Sequence, residues 1–392
     1  MGGVEGPLYP SQIEEVLTGI NIGSSGDTNV EDAIIGGTLT EYFNNRVVTL
    51  RNNAFTTMET LTSVNLPACT SIGFNAFAYC YNLSSVKMSN CEYILQSGFN
   101  SCSSLLEASF PKCVLIGIEA FMNCRNLTTV SFPVCKSIHT SAFAECSKLT
   151  SVAFPQCTSV MTKAFCNCGI SNADFPVLTS VGSSVFWGCS NLLSISMPMC
   201  TRIYEYAFAS CKNLPYVYFP SCTSVGSSAF VNCSSLQSID FPVCTSLGSG
   251  AFYLCSMLSS VSLPACKTIS ANAFANCYNL REVSLPACTS ISYSAFAKCS
   301  SLTSINLPVC TSISGSYAFT SCYNLSTIVL GASSVCSLKA SNVFASTPYY
   351  GYSASFSGIP HIYVPSSLVD SYKTAANWSY FSNYFSAIED MA

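Results

Sequence analysis

Apolar and polar residues alternate along this chain in a unit that repeats about every 22 residues. In one copy the apolar positions are Leu236, Ile239, Phe241, Cys244, Leu247, Ala251, Phe252 and Cys255, and Leu258 opens the next copy. The opening apolar residue recurs at Leu61, Leu83, Leu105, Leu127, Leu149, Ile170, Leu192, Leu214, Leu236, Leu258, Leu280, Leu302 and Leu325. The spacing is 22 except for a step of 21 from Leu149 to Ile170 and one of 23 from Leu302 to Leu325. A fixed period of this length predicts a solenoid of about 13–14 rungs, because no single copy can bury its own apolar face.

Within a copy, Leu236, Ile239 and Phe241 follow the period-2 pattern of a strand, with Ser238 and Asp240 pointing outward. Proline closes this segment at 67, 111, 133, 155, 176, 198, 220, 242, 264, 286 and 308. Lacking an amide hydrogen, it ends the strand ladder and begins the turn. The following cysteine and the apolar residue three positions later re-enter the core. Alanine, phenylalanine and a second cysteine then close the far side in a spacing that suits a short helical or 3₁₀ turn.

The chain has 25 cysteines, and the repeat accounts for 23 of them. One file runs through Cys69, Cys91, Cys113, Cys135, Cys157, Cys200, Cys222, Cys244, Cys266, Cys288 and Cys310. A second runs through Cys80, Cys102, Cys124, Cys146, Cys168, Cys189, Cys211, Cys233, Cys255, Cys277, Cys299 and Cys322. Leu178 fills the gap in the first file and Met58 stands at the head of the second. Neither can join a disulfide, so the files read as buried reduced thiols acting as compact hydrophobes. A disulfide framework and metal clusters are the alternatives, the former disfavoured because ladder side chains point in parallel. Cys166 and Cys336 fall outside both files, and Cys166 is expected at a turn, near the surface.

The opening segment exemplified by Leu236, Ile239, Phe241, Pro242 and Cys244 is similar to the leucine-rich-repeat consensus. The Ala251, Phe252, Cys255 half resembles the BspA-like subclass in particular, and the likeness spans about residues 46–345. It implies a right-handed solenoid of leucine-rich-repeat type, with a parallel β-sheet on one face and short turns or 3₁₀ segments on the other. Proteins of this kind are mostly secreted or surface proteins of oral and gut bacteria and some mucosal protists. The resemblance therefore implies an extracellular or cell-surface adhesion module whose partner is a host or cell-surface protein or glycan. It supplies no catalytic residues. The alternative is a structural or receptor-binding part of a larger assembly such as a phage tail.

Three regions follow. Residues 1–45 form an N-terminal cap, with a capping box from Ser11 to Glu14 opening a short helix through about Leu17 and a second helix at 29–35. Residues 46–345 form the solenoid, whose degenerate first rung contains Val47 to Leu50, Phe55 and Met58. Residues 346–392 hold an irregular segment, a last rung at Ile359 to Pro365, and a helical cap. Ser366 or Ser367 starts the cap helix, and Trp378 and Tyr380 cover the final rung.

Composition narrows the function. Charged residues make up only 9% of the chain and the net charge is −4. There is thus no basic field for nucleic acid. Although 49% of residues are hydrophobic, no run of 18 apolar residues occurs, so no membrane-spanning helix is expected. The N-terminus shows no charged and apolar leader pattern. His139 and His361 lie about ten rungs apart, which excludes a nucleophile–histidine pair in a solenoid. The six aspartates make no calcium-loop spacing, and no phosphate-cradling glycine loop is present, so no catalytic, metal or cofactor site is expected. Asn82, Asn126, Asn232, Asn324 and Asn377 lie in glycosylation sequons, but those preceding a repeat leucine read as turn residues.

The outward slot between the second and third apolar strand residues is mostly small and neutral, from Asn65 and Lys87 to Asn306 and Val329. Its exception is the middle, where Tyr216 and Tyr218 share one strand and Asp240 follows on the next rung. These three are the candidate binding residues, since exposed tyrosines bring large contact area at low entropy cost.

Overall fold

A computed structural model describes residues 39–348 and 360–391. The chain divides after Ile170 into two compact units, each wound from the same coil. The predicted cap helices at 11–17 and 29–35 lie outside the described residues.

The coil has three sides. Its front is the predicted strand: Ser238–Asp240 pairs in parallel with Ser260–Ser262, in register at a separation of one repeat. Ile239 points into the core while Asp240 is exposed. A second short strand, not foreseen as one, contains the apolar residue after the first-file cysteine. In the N-terminal unit Thr49–Leu50, Ser71–Ile72, Tyr93–Ile94, Leu115–Ile116, Ser137–Ile138 and Ser159–Val160 form one unbroken parallel sheet. In the C-terminal unit the equivalent strands form two four-stranded sheets. Thus the turn after proline is tight, and it carries the chain directly into another hydrogen-bonded ladder.

The third side, carrying alanine, phenylalanine and the second cysteine, is a turn of unusual construction. Two residues per coil sit in the left-handed region, as at Gly250 (φ 62°) and Leu254 (φ 63°), where other coils place Asn, Ser, Glu, Lys or Tyr. Between them the amides alternate. Those of Gly250, Phe252 and Leu254 donate to Ala271, Ala273 and Ala275 of the next coil, at 2.8–3.0 Å. Those of Ala251, Tyr253 and Cys255 donate back to Gly248, Gly250 and Phe252. The conformational cost of a left-handed residue, on the order of 1 kcal/mol, is offset by a complete inter-coil ladder.

The core is a pair of aromatic files flanked by the cysteines. Phe55, Phe77, Phe99, Phe121, Phe143 and Phe165 stack at centroid spacings of 5.1–5.3 Å in the N-terminal unit. Phe186, Phe208, Phe230, Phe252, Phe274, Phe296, Phe319 and Phe344 continue the same arrangement in the C-terminal unit. The degenerate first rung is therefore a genuine coil, since Phe55 stacks on Phe77 and Thr49–Leu50 pairs with Ser71–Ile72. One coil further out, Glu41–Phe43 pairs with Ser63–Asn65.

The shortened step also has a structural cause. At Gly169 an added Cβ would lie 2.2 Å from the Ser147 carbonyl oxygen, so the coil closes up against its neighbour only because no side chain is there. At the other end His361–Val364 adds a front strand to Thr327–Leu330, and Phe385–Ala387 adds another. A helix at Val369–Thr374 places Tyr372 over the core beside Trp378, Phe381 and Phe385. Two details depart from expectation. Neither Ser366 nor Ser367 caps this helix: the Ser366 hydroxyl donates to Glu389, and both serines lie in the 3₁₀ turn Ser366–Leu368 that leads into it. Tyr380 is 72% exposed and covers nothing, its expected role falling to Tyr372 and Phe381.

Candidate binding face

All 25 cysteines are free and buried. Each file makes its own hydrogen bond, so the cysteines do more than fill space as compact hydrophobes. A first-file thiol donates to the carbonyl two residues on, as Cys244 does to Ser246 at 3.3 Å. A second-file thiol donates to the core phenylalanine of the preceding coil, as Cys233 does to Phe208 at 3.1 Å. Burial pushes the Cys80 and Cys233 thiols up to about 12, opposed by amides of the preceding coil. A thiol that stays protonated is a structural group, not a nucleophile. Cys166 is buried too, contrary to its expected place near the surface. Burial first, then the charge of Glu145, raises its pKa to about 11.

Among the described residues no group of three or more His, Cys, Asp or Glu could hold a metal ion. No described helix is long and apolar enough to cross a membrane. His139 is half-buried, and desolvation lowers its pKa. The sequon side chains of Asn82 and Asn324 donate to Glu59 and Ser300 carbonyls of the preceding coil, which fits their reading as turn residues.

The face that distinguishes itself is the front of the C-terminal unit around residues 216–284. Tyr216 and Tyr218 are 57% and 70% exposed. Tyr216 donates its hydroxyl to the Gln237 side chain at 2.6 Å, and Asp240 sits one coil on in register with Tyr218. The three predicted residues are therefore brought to one place on one face.

That place is also a fault in the sheet. In most coils the amide after the opening leucine donates to the matching carbonyl one coil back, as Leu193 does to Ser171 and Gln237 does to Pro215. Pro215 has no amide hydrogen to give. The front ladder from Asn172–Asp174 and Ser194–Ser196 stops here. The tyrosine coil keeps only an isolated bridge, Tyr216 to Ser238, before the sheet resumes at Ser238–Asp240. Val217 is half-buried where its counterparts Ile195 and Ile239 are buried. Pro215 was legible, as a proline one residue after an opening leucine, but only the prolines that close strands suggest a role from the repeat alone.

Beyond the fault lies a shallow groove of about 390 Å³, lined by Ser238, Asp240, Ser260, Ser262, Glu282 and Ser284 over Ile239, Val261 and Val283. At strand spacings near 4.8 Å it is roughly 10 Å wide. Its rim carries two carboxylates and no cation. Ser262 and Ser284 belong to the small, neutral outward slot, whereas Ser238, Ser260 and Glu282 precede that slot by two residues.

The sequence matches the family described as BspA type leucine-rich repeat region (6 copies) over residues 39–135, 114–236, 179–287 and 245–350. Among solved structures, a leucine-rich repeat protein from Bacteroides ovatus is similar at 22% identity. That match covers 89% of this chain and 92% of the other, with a TM-score of 0.60. A leucine-rich cell surface protein from Faecalibacterium prausnitzii is 24% identical over 63% of this chain and 79% of its own, with a TM-score of 0.40. A leucine-rich repeat protein of T. pallidum is 28% identical over 42% of this chain and 77% of its own, with a TM-score of 0.35. Among curated proteins no relative matches.

Proposed function

Because the chain belongs to the BspA-type leucine-rich repeat family, a family of protein-interaction repeats, we propose that it is a non-enzymatic adhesion module. It acts outside the cell or at its surface and holds a host or cell-surface protein or glycan on its repeat face. The observation that carries this reading is the exposed Tyr216 and Tyr218 pair at the sheet fault, beside the groove that begins at Asp240. Aromatic rings supply contact area with few rotatable bonds, and a serine-lined groove offers donors and acceptors to a polar ligand. The carboxylates of Asp240 and Glu282 add a preference against anionic partners, nucleic acid included.

The test is a binding screen of the full chain against host matrix proteins and glycans, repeated with Tyr216→Ala combined with Tyr218→Ala. The wild type should retain at least one ligand. The double variant should bind it at least about tenfold more weakly, a loss of about 1.4 kcal/mol, with unchanged circular dichroism. Equal binding by the double variant would move the contact elsewhere on the repeat face, and no ligand in either class would remove the adhesion reading. Surface placement is checked separately by protease treatment of intact producing cells, where an uncleaved chain would count against it.

A further inference from the structure

Cys336 is one of the two cysteines that the repeat does not place, and the fold explains why. Leu307 pairs with Leu330, and Ser312 pairs with Ser337. Five residue steps separate Leu307 from Ser312, but seven separate Leu330 from Ser337, so the last turn carries two extra residues. The inserted turn brings its cysteine into the core immediately before the second strand, where the other coils have a threonine, lysine or similar exposed residue. It therefore approaches Cys310 out of ladder phase.

The result is a thiol–thiol contact between a first-file cysteine and one outside both files. The Cys336 Sγ lies 3.9 Å from the Cys310 Sγ, and both residues are fully buried. The Cys336 thiol finds no short acceptor: its other contact, to the Ser337 carbonyl, is 3.8 Å, against 2.9–3.2 Å for second-file thiols such as Cys80 and Cys233. Its backbone, by contrast, is gripped by the C-terminal cap. The Cys336 amide donates to the Tyr372 hydroxyl at 2.8 Å, and the Trp378 indole donates to the Cys336 carbonyl at 2.6 Å.

We propose that Cys310 and Cys336 are a disulfide site, forming in an oxidising setting a staple that ties the last turn and its cap to the first cysteine file. Bond formation requires the 3.9 Å separation to shrink to about 2.05 Å. The co-reactant is a low-molecular-weight disulfide. The Cys336 thiolate attacks one of its sulfurs, breaking that S–S bond and releasing one small thiol. The Cys310 thiolate then attacks the Cys336 sulfur of the mixed disulfide, forming the protein S–S bond and releasing the second small thiol. The two protein protons end on the two released thiols, and the small disulfide is the species reduced. The inference does not depend on what the front face binds.

The full chain is reduced, unfolded, and refolded in a buffer of reduced and oxidised glutathione, so that burial of the site does not limit access. Free thiols are then alkylated in denaturant, counted by intact mass, and the peptides mapped. Two of the 25 cysteines should escape alkylation, and one cross-linked peptide pair should join Cys310 to Cys336. Cys336→Ser and, separately, Cys310→Ser should each leave every remaining thiol alkylated and yield no cross-link. A wild-type chain with all thiols free overturns the proposal. So does a principal cross-link between any other pair, or loss of two thiols in either variant.

Discussion

Raising the pH should unfold this protein steeply, because its cysteine files bind protons more tightly when folded. Burial raises eight thiols to about 12: Cys80, Cys113, Cys157, Cys222, Cys233, Cys244, Cys288 and Cys322. In the unfolded chain each would titrate near the ordinary value of 9.0. The folded state thus keeps protons that the unfolded state gives up. The stability linked to these groups is whole below pH 9 and declines from there toward pH 12. At pH 10 each thiol favours unfolding by roughly 1 kcal/mol, and eight together by on the order of 10 kcal/mol. That equals the whole stability of an ordinary domain, about 5–15 kcal/mol. Circular dichroism and thiolate ultraviolet absorbance, followed together under reductant from pH 7 to pH 11, should therefore change in one concerted step. Thiolate absorbance that grows gradually from about pH 9 while the circular dichroism stays native would refute the reasoning, since it would mean the thiols ionise in place.

The other expectations concern single residues. Phe230→Ala removes a fully buried ring stacked between Phe208 and Phe252 at 5.1 and 5.2 Å, and should cost roughly 3–5 kcal/mol in urea titration; a loss below about 1 kcal/mol would deny the file its role in the core. Gly169→Ala drives a Cβ against the Ser147 carbonyl and should destabilise by about 1–3 kcal/mol in thermal unfolding, whereas an unchanged melting temperature would mean the coil relaxes freely. Pro215→Ser restores the missing donor toward Leu193 and should add about 0.5–1.5 kcal/mol. It should also slow amide exchange at Val217 and Tyr218, and exchange as fast as before would show that the proline is not what breaks the ladder.

The period was legible because a solenoid repeats its burial pattern at every coil, so Leu236, Ile239 and Phe241 mean the same thing thirteen times over. What the repeat conceals is anything carried by backbone geometry. The second strand is only two residues long, too short to show an alternation, and nothing in Ser246 and Leu247 announces it. The left-handed positions were hidden for a related reason. Gly250 is suggestive, but its equivalents are Asn75, Glu119, Lys163 and Tyr206, residue types with no shared signature. There the inter-coil hydrogen bonds determine the conformation, and the side chain merely tolerates it.

The cysteines show the converse, a residue type whose meaning depended on geometry that Leu178 and Met58 only half disclosed. Those two substitutions prove that the site accepts an apolar side chain without a thiol donor, yet every first-file cysteine directs its thiol to a backbone carbonyl. A leucine fills the same space but cannot supply that thiol donor, and a serine could supply a donor only by burying a hydroxyl. Cysteine is small, apolar and a weak donor, so it meets both demands at once. The candidate site follows the same logic in reverse. Tyr216, Tyr218 and Asp240 are departures from a small, neutral file, but that they stand where the front ladder thins to an isolated bridge, beside a proline with no amide hydrogen, is visible only in the structure.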